Sequence, residues 1–179
     1  MPMKRLSVAV RAIAYVDRDK ALEVVGAGSD LERARRPAVD LGVDSGVRFL
    51  GEVPWEEVIP HYDAAEAFLF TSLRDSSGVQ LLEAGARGLP FVSPEHHGAR
   101  DWLPPEAGAL VPTGPASTCA RSPGAAASKL LGDESRWRAA STNASSWPSQ
   151  CTLAAHAVQM DHIHRTTVGG HRRSHHDAP

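Results

Sequence analysis

Asp75-Ser76-Ser77-Gly78 is a polar, flexible loop leading into a helix that carries Glu83, with seven residues between Asp75 and Glu83. The stretch between them, SSGVQLL, begins as a polar, flexible approach and turns apolar at helical spacing. Ser76 or Ser77 caps a helix running to about Arg87, and Gly88 is placed to stop it. Asp75 then lies on the loop and Glu83 two turns into the helix. The free N–H groups of a helix start attract anions, so this corner suits a phosphate-bearing ligand. A second corner, Gly26-Ala27-Gly28, follows the apolar run ALEVV, and its missing side chains let backbone approach a phosphate closely. Both have plain structural accounts. The G-x-G can be a simple strand-to-helix turn, and from periodicity alone Glu83 pairs with Arg87 four residues on, worth about 0.3 to 0.5 kcal/mol. His96 and His97 follow FVSPE near the same edge, as surface loop histidines or as ligand contacts. His171, His175 and His176 read as part of a solvated tail rather than a metal site.

The elements that must position these corners follow from apolar patterning. In MPMKRLSVAVRAIAYV, Leu6, Ala9, Val10, Ile13 and Ala14 share one helical face, while Arg5, Ser7 and Arg11 lie on or near the other. That predicts an amphipathic surface helix rather than an export signal. Ala21 to Val25 reads as a strand, and Ser29 or Asp30 caps a helix over Leu31 to Leu41 that Pro37 should kink or end early. Next come a strand over Val47 to Leu50, a helix over Trp55 to Ala64 containing Pro60, and a strand over Ala67 to Thr71. Leu89 to Ser93 is strand, Ala99 to Leu103 a short helix and Ala109 to Val111 strand. Trp102 and Trp137 pack helices onto the sheet. Strands this apolar, alternating with helices, predict an α/β fold with a doubly wound parallel sheet covered on both faces. Beyond Pro115, helices are expected over Ala125 to Leu131, Glu134 to Ala140 and Thr152 to His164, with a Ser-rich joint around Trp147. From Thr166 the composition is that of a disordered tail, which divides the chain into a domain over 1–165 and a tail over 166–179.

Composition narrows the function classes. Nineteen Lys and Arg against 21 Asp and Glu leave a net charge of −2, without the electrostatic footprint that phosphate-backbone binding requires, so nucleic acid is not an expected partner. No stretch reaches the roughly eighteen apolar residues of a membrane span, so no stable membrane insertion is expected. Cys119 and Cys151 have no C-x-x-C spacing and read as free thiols in a reducing compartment. Cytoplasmic placement follows, with peripheral contact at a membrane left open.

The stretch TSLRDSSGVQLLEAGARGLPFVS resembles, almost position for position, the E-x(7)-E region of family 4 glycosyltransferases of the GT-B fold. There a strand ends in P-S, an acidic loop with a small residue and Gly follows, and the helix carries L-E-A-x-A-x-G-x-P-V-V. Asp75 and Glu83 stand at the two acidic positions. The likeness continues in register. KRLSVAVRA at Lys4 to Ala12 is similar to K-G-x-x-x-A-I-x-A, LEVVGAG to a strand ending in V-G-x-G, and VRFLGEVP to V-x-F-x-G-x-V-P. Tyr62-Asp63-Ala64-Ala65 matches Y-x-x-A-D, Gly98 to Asp101 sits where the family has G-x-x-E/D, and Ser146-Trp147 resembles F-S-W. The shared region spans about Lys4 to Pro115, with a fainter echo to His164.

The resemblance implies a Rossmann-like, C-terminal half of a GT-B fold that binds a nucleoside diphosphate sugar. Lys4, Gly26, Gly28, Asp75, Ser76, Ser77, Gly78 and Glu83 are its candidate donor-binding residues, and Asp75 and Glu83 its candidate catalytic pair. Glu83 would accept from the two ribose hydroxyls, Asp75 would hold a hydroxyl of the donor sugar, and Lys4 would contact the diphosphate. The N–H groups of Ser77 and Gly78 would carry charge as the leaving group forms. Transfer would retain anomeric configuration and need neither metal nor cofactor. Asp75 is one methylene shorter than the family's usual Glu, and the basic strand before the lysine motif is not represented. The N-terminal acceptor-binding domain has no counterpart in this sequence, so the expectation is a donor-binding half, active with an acceptor-binding partner chain. The alternative is a non-catalytic nucleotide-binding subunit or degenerate fragment. A dinucleotide-dependent oxidoreductase fits poorly, because Leu31 stands where G-x-G-x-x-G needs its third glycine.

Overall fold

The computed structural model describes residues 4–73, 78–96, 99–114, 119–161 and 165. They fall into two compact units, Met1–Trp147 and Pro148–Pro179. The first unit carries the strands β1 (Leu22–Val25), β2 (Val47–Gly51), β3 (Phe68–Leu69), β4 (Phe91–Pro94) and β5 (Gly108–Val111). Its helices are α1 (Leu6–Ala12), α2 (Asp30–Asp40), α3 (Trp55–Ala64), α4 (Val79–Ala86), α5 (Ala99–Trp102), α6 (Arg121–Leu131) and α7 (Glu134–Ser146). The architecture is α/β and every strand pairing is parallel, in two ladders ordered β1-β2 and β3-β4-β5. Lys20, just before β1, pairs with Glu66, just before β3, at 2.8 Å. The leading ends of these two strands therefore lie together, so β1 and β3 run from a common edge.

The middle strand β4 explains why its sequence is so apolar. Phe91 and Val92 are 1% exposed, Ser93 is fully buried, and strands flank it on both sides. Val92 packs with Val111, Ala127, Leu130 and Ala140, which seats α6 and α7 on this ladder. A separate cluster of Val10, Val24, Ala34, Ala38 and Val47 joins α1 and α2 to the β1-β2 ladder.

Three expectations about the elements need correction. The first helix is not a surface helix. Val8, Ala9, Val10 and Ala12 are all buried, because α2 closes one side with Ala34 and Ala38 and α6 closes the other at Gly124. Pro37 does not end α2, which continues to Asp40 with the Leu41 N–H bonding the Pro37 carbonyl at 3.2 Å. Its ring is buried beside Ala34 and Ala38, and that packing offsets the lost N–H. The helix expected to end at Ala140 runs through Ser146, since Ser145 and Ser146 donate back to the Thr142 and Asn143 carbonyls at 2.9 Å and keep their hydroxyls satisfied within the helix, and the joint expected around Trp147 falls at the boundary of the two units. Asp133 caps α7 by accepting from the Arg136 N–H at 3.0 Å.

Trp102 packs edge-on against Trp147 with ring centroids 4.8 Å apart, and Trp147 in turn lies 6.4 Å from Phe91. Trp137 is half-buried and donates its indole N–H to the Glu66 carbonyl at 2.6 Å. Neither Cys119 nor Cys151 is in a disulfide. In the second unit, residues 153–161 are helical, the Thr152 hydroxyl accepts from the Ala155 N–H at 3.1 Å, and Leu153 and Val158 are exposed. Among the described residues no helix is long and apolar enough to cross a membrane. The tail over 166–179 and its histidines, together with His97, lie outside the described residues.

Candidate functional site

Strand β3 and helix α4 flank the corner that the sequence singles out. Strand β3 is short, but its pairing extends past Leu69, as the Phe70 N–H bonds the Val92 carbonyl at 2.9 Å. The chain then passes through Thr71 and Ser72, both buried, to Gly78 and α4. Asp75, Ser76 and Ser77 lie outside the described residues. The N-cap of α4 is Gly78 rather than the expected Ser76 or Ser77, and it holds the helix start in the left-handed region, at φ 58° and ψ 28°. Its Cα faces the Trp102 ring so closely that a Cβ there would stand 2.9 Å from Trp102 Cζ3. Only glycine fits both constraints.

Glu83 sits half-buried on α4 and does not pair with Arg87. Arg87 instead forms a two-pronged pair with Asp63 of α3, Nε–Oδ1 2.6 Å and Nη2–Oδ2 2.7 Å. The Glu83 Oε2 accepts from the Tyr62 hydroxyl at 3.0 Å. Burial, and then the hydrogen bond to Glu83, push the Tyr62 pKa well above the ordinary tyrosine value, so the phenol is a neutral donor. The Arg87 hydrogen bonds hold the Asp63 carboxyl below its ordinary value. Two adjacent residues at the end of α3 thus tie it to α4, one at Glu83 and one at Arg87. Sequence reading placed both in the Y-x-x-A-D motif without assigning either contact, because partners 21 and 24 residues apart leave no periodic signal.

Lys4 comes to this corner through α1. Thr71 donates its hydroxyl to the Lys4 carbonyl at 2.8 Å, and the exposed Lys4 ammonium lies 5.9 Å from the Phe70 ring centroid. Arg5, the next residue, has φ 49°, a left-handed geometry uncommon for a side chain of this size, and it occupies the glycine position of the K-G motif. Gly26 and Gly28 end β1, with Gly26 at φ 125° and its N–H bonded to the Gly51 carbonyl at 2.7 Å. His96 follows β4, half-buried. Among the described residues, no group of three His, Cys, Asp or Glu side chains has the geometry to hold a metal ion.

A family model described as glycosyl transferases group 1 matches residues 1–130. The chain is similar to the GDP-mannose-dependent alpha-(1-6)-phosphatidylinositol monomannoside mannosyltransferase of Mycolicibacterium smegmatis, 34% identical over 109 residues, which is 55% of this chain and 28% of that protein. It is also 34% identical over 121 residues to an amylovoran biosynthesis glycosyltransferase of Erwinia amylovora, covering 58% of this chain and 30% of that one. The aligned segments thus span under a third of the length of these curated relatives. Among solved structures, Anabaena HepE in complex with UDP and glucose superimposes with a TM-score of 0.72 at 21% identity, over 84% of this chain and 41% of that one. The catalytic domain of cholesterol-alpha-glucosyltransferase from Helicobacter pylori gives a TM-score of 0.72 at 20% identity, over 85% of this chain and 93% of that one. At these identities the structural likenesses establish the fold. By the match over residues 1–130, the chain belongs to the group 1 glycosyl transferases.

Proposed function

We propose that this chain binds a nucleoside diphosphate sugar at the β3–α4 corner and forms the donor side of a retaining glycosyltransferase. The observation that carries this reading is the Glu83 carboxylate, held by the neutral Tyr62 phenol on a helix whose start is fixed by Gly78. A carboxylate met by a neutral donor keeps its charge and its remaining lone pairs for a ligand, and two vicinal ribose hydroxyls fit that demand. Lys4 supplies positive charge to the diphosphate, and the N–H groups at the start of α4 stabilise the leaving group as the bond to the sugar breaks. Asp75 holds a hydroxyl of the donor sugar. That the mannosyltransferase relative is GDP-mannose-dependent and the Anabaena structure holds UDP makes guanosine and uridine diphosphates the two probes to use.

Transfer also needs an acceptor held about 3 to 3.5 Å from the donor in a water-poor cleft. The residues of this chain supply the donor side, so we expect the isolated chain to bind nucleotide without transferring sugar, and to do so only with an acceptor-binding partner. Calorimetry tests the donor reading. One weak site for at least one of the two diphosphates is expected, and Glu83→Ala should weaken it by about 1.5 to 3 kcal/mol, the worth of charged hydrogen bonds. Equal affinity in wild type and mutant, or no binding of either probe, overturns it.

A further inference from the structure

We propose that Tyr62 is a positioning residue that fixes the Glu83 carboxylate and thereby sets the preference of the site for an intact ribose diol; the proposal rests on the donor-binding reading above. The Tyr62 hydroxyl and Glu83 Oε2 are 3.0 Å apart and bridge α3 to α4. The phenol does not swing freely. Its ring lies edge-on to Phe68, with centroids 5.8 Å apart and planes at 65°, and Phe68 is locked into β3 through its N–H bond to the Pro90 carbonyl at 2.8 Å. The backbone next to it is also anchored, because Asp63 takes both prongs of Arg87. That pair has a second effect: it engages Arg87, the cation one helical turn from Glu83, at 2.6 Å to a different carboxylate. Glu83 is therefore oriented by an uncharged donor on a rigid mount.

The consequence is geometric. An ionised carboxylate has about four lone-pair sites, and a Glu side chain otherwise rotates broadly about its last torsion. Fixing Oε2 on one side by the phenol sets the plane of the group and leaves Oε1 and the second lone pair of Oε2 facing one direction. Two donors at the spacing of neighbouring hydroxyls match that arrangement, whereas a sugar lacking them gains nothing from it. Tyr62 acts through Glu83 and need not touch the ligand.

The test compares uridine and guanosine diphosphates with their 2′,3′-dideoxy analogues on the full chain, using wild type, Tyr62→Phe, Glu83→Ala and the double variant. Tyr62→Phe keeps the ring on Phe68 and removes only the hydroxyl. It should reduce ribonucleotide affinity about three- to tenfold, since only the part of that hydrogen bond's worth that orients Glu83 reaches the ligand, and leave dideoxynucleotide affinity unchanged. In the Glu83→Ala background it should change neither affinity. Thermal melting checks that each variant is folded. If Tyr62→Phe keeps the wild-type ribose preference, or loses both affinities alike, the positioning role is wrong while the donor site stands. An effect of Tyr62→Phe that persists undiminished in the Glu83→Ala background also overturns it, since the phenol would then act elsewhere. If the wild-type chain binds neither diphosphate, the donor reading fails and this inference fails with it.

Discussion

Replacing Gly78 by alanine probes the wedge that fixes the start of α4, and its cost can be worked from two separable parts. The first is backbone. Gly78 has φ 58°, and an L-residue held there costs about 1 kcal/mol or somewhat more. The second is packing. The added Cβ would stand 2.9 Å from Trp102 Cζ3 and 3.4 Å from Leu81 Cδ1. Trp102 cannot simply retreat, because its ring abuts Trp147 at 4.8 Å, and Trp147 is itself 5% exposed against Phe91. Overpacking of this kind costs about 1 to 3 kcal/mol. Stiffening the unfolded chain returns about 0.4 to 1 kcal/mol, so the net loss should be about 2 to 3 kcal/mol. Gly42 provides the control: it has φ 62°, and nothing lies within 4 Å of its would-be Cβ. Gly42→Ala should therefore show the backbone part alone. Urea unfolding with unchanged slopes measures both. Equal losses for the two variants would refute the wedge, and a Gly78→Ala chain as stable as wild type would refute the left-handed constraint as well.

Two further outcomes follow from contacts between helices. At Gly124 a Cβ would meet the Ala12 carbonyl oxygen and stand 2.8 Å from Tyr15 Cβ, so α6 and α1 would have to part. Helix propensity favours Gly124→Ala by about 1 kcal/mol, but overpacking against backbone outweighs it, and a net loss of about 1 to 2 kcal/mol is expected in urea unfolding; a gain in stability would mean the two helices are not in close contact. Arg87 lowers the Asp63 pKa, so the pair contributes stability that is present above the unfolded carboxyl value and lost as pH falls through the lower folded value. In melts from pH 6 down to pH 2, Asp63→Asn should flatten part of the acid dependence, more so at low salt; an unchanged profile would show the pair to be energetically idle.

The parts of the fold legible in the sequence were those carried by burial. FVSP is enclosed between neighbouring strands, and an element buried on both faces has to be largely apolar, so its strand character is written in its composition. The start of α4 reads differently: Ser76 or Ser77 is the expected cap, whereas the N-cap is Gly78, whose close partner Trp102 lies 24 residues on and leaves no local signal. What escaped is what depends on a second element. Pro37 argues for a helix end if α2 is considered alone, yet the helix continues past it with the residue buried. The first helix reads as a surface helix until α2 and α6 cover it, which buries Val8 and Ala12 along with the apolar face and leaves Arg11 exposed.

The same division runs through the candidate site, and there it decides the chemistry. Local spacing offered Glu83 a cation four residues away, and on an isolated helix that pair would form. In the folded chain a competitor is available: Asp63 presents two oxygens to the flat guanidinium at 2.6 and 2.7 Å, a bidentate match that a single i,i+4 contact does not equal. Arg87 goes to Asp63, and Glu83 goes to a neutral phenol. Had the local pair formed, the carboxylate would have been neutralised by a neighbouring cation on its own helix. Because α3 brings Tyr62 and Asp63 together, the structure separates the two tasks. One carboxylate takes up the positive charge, and the other is oriented by a neutral hydroxyl.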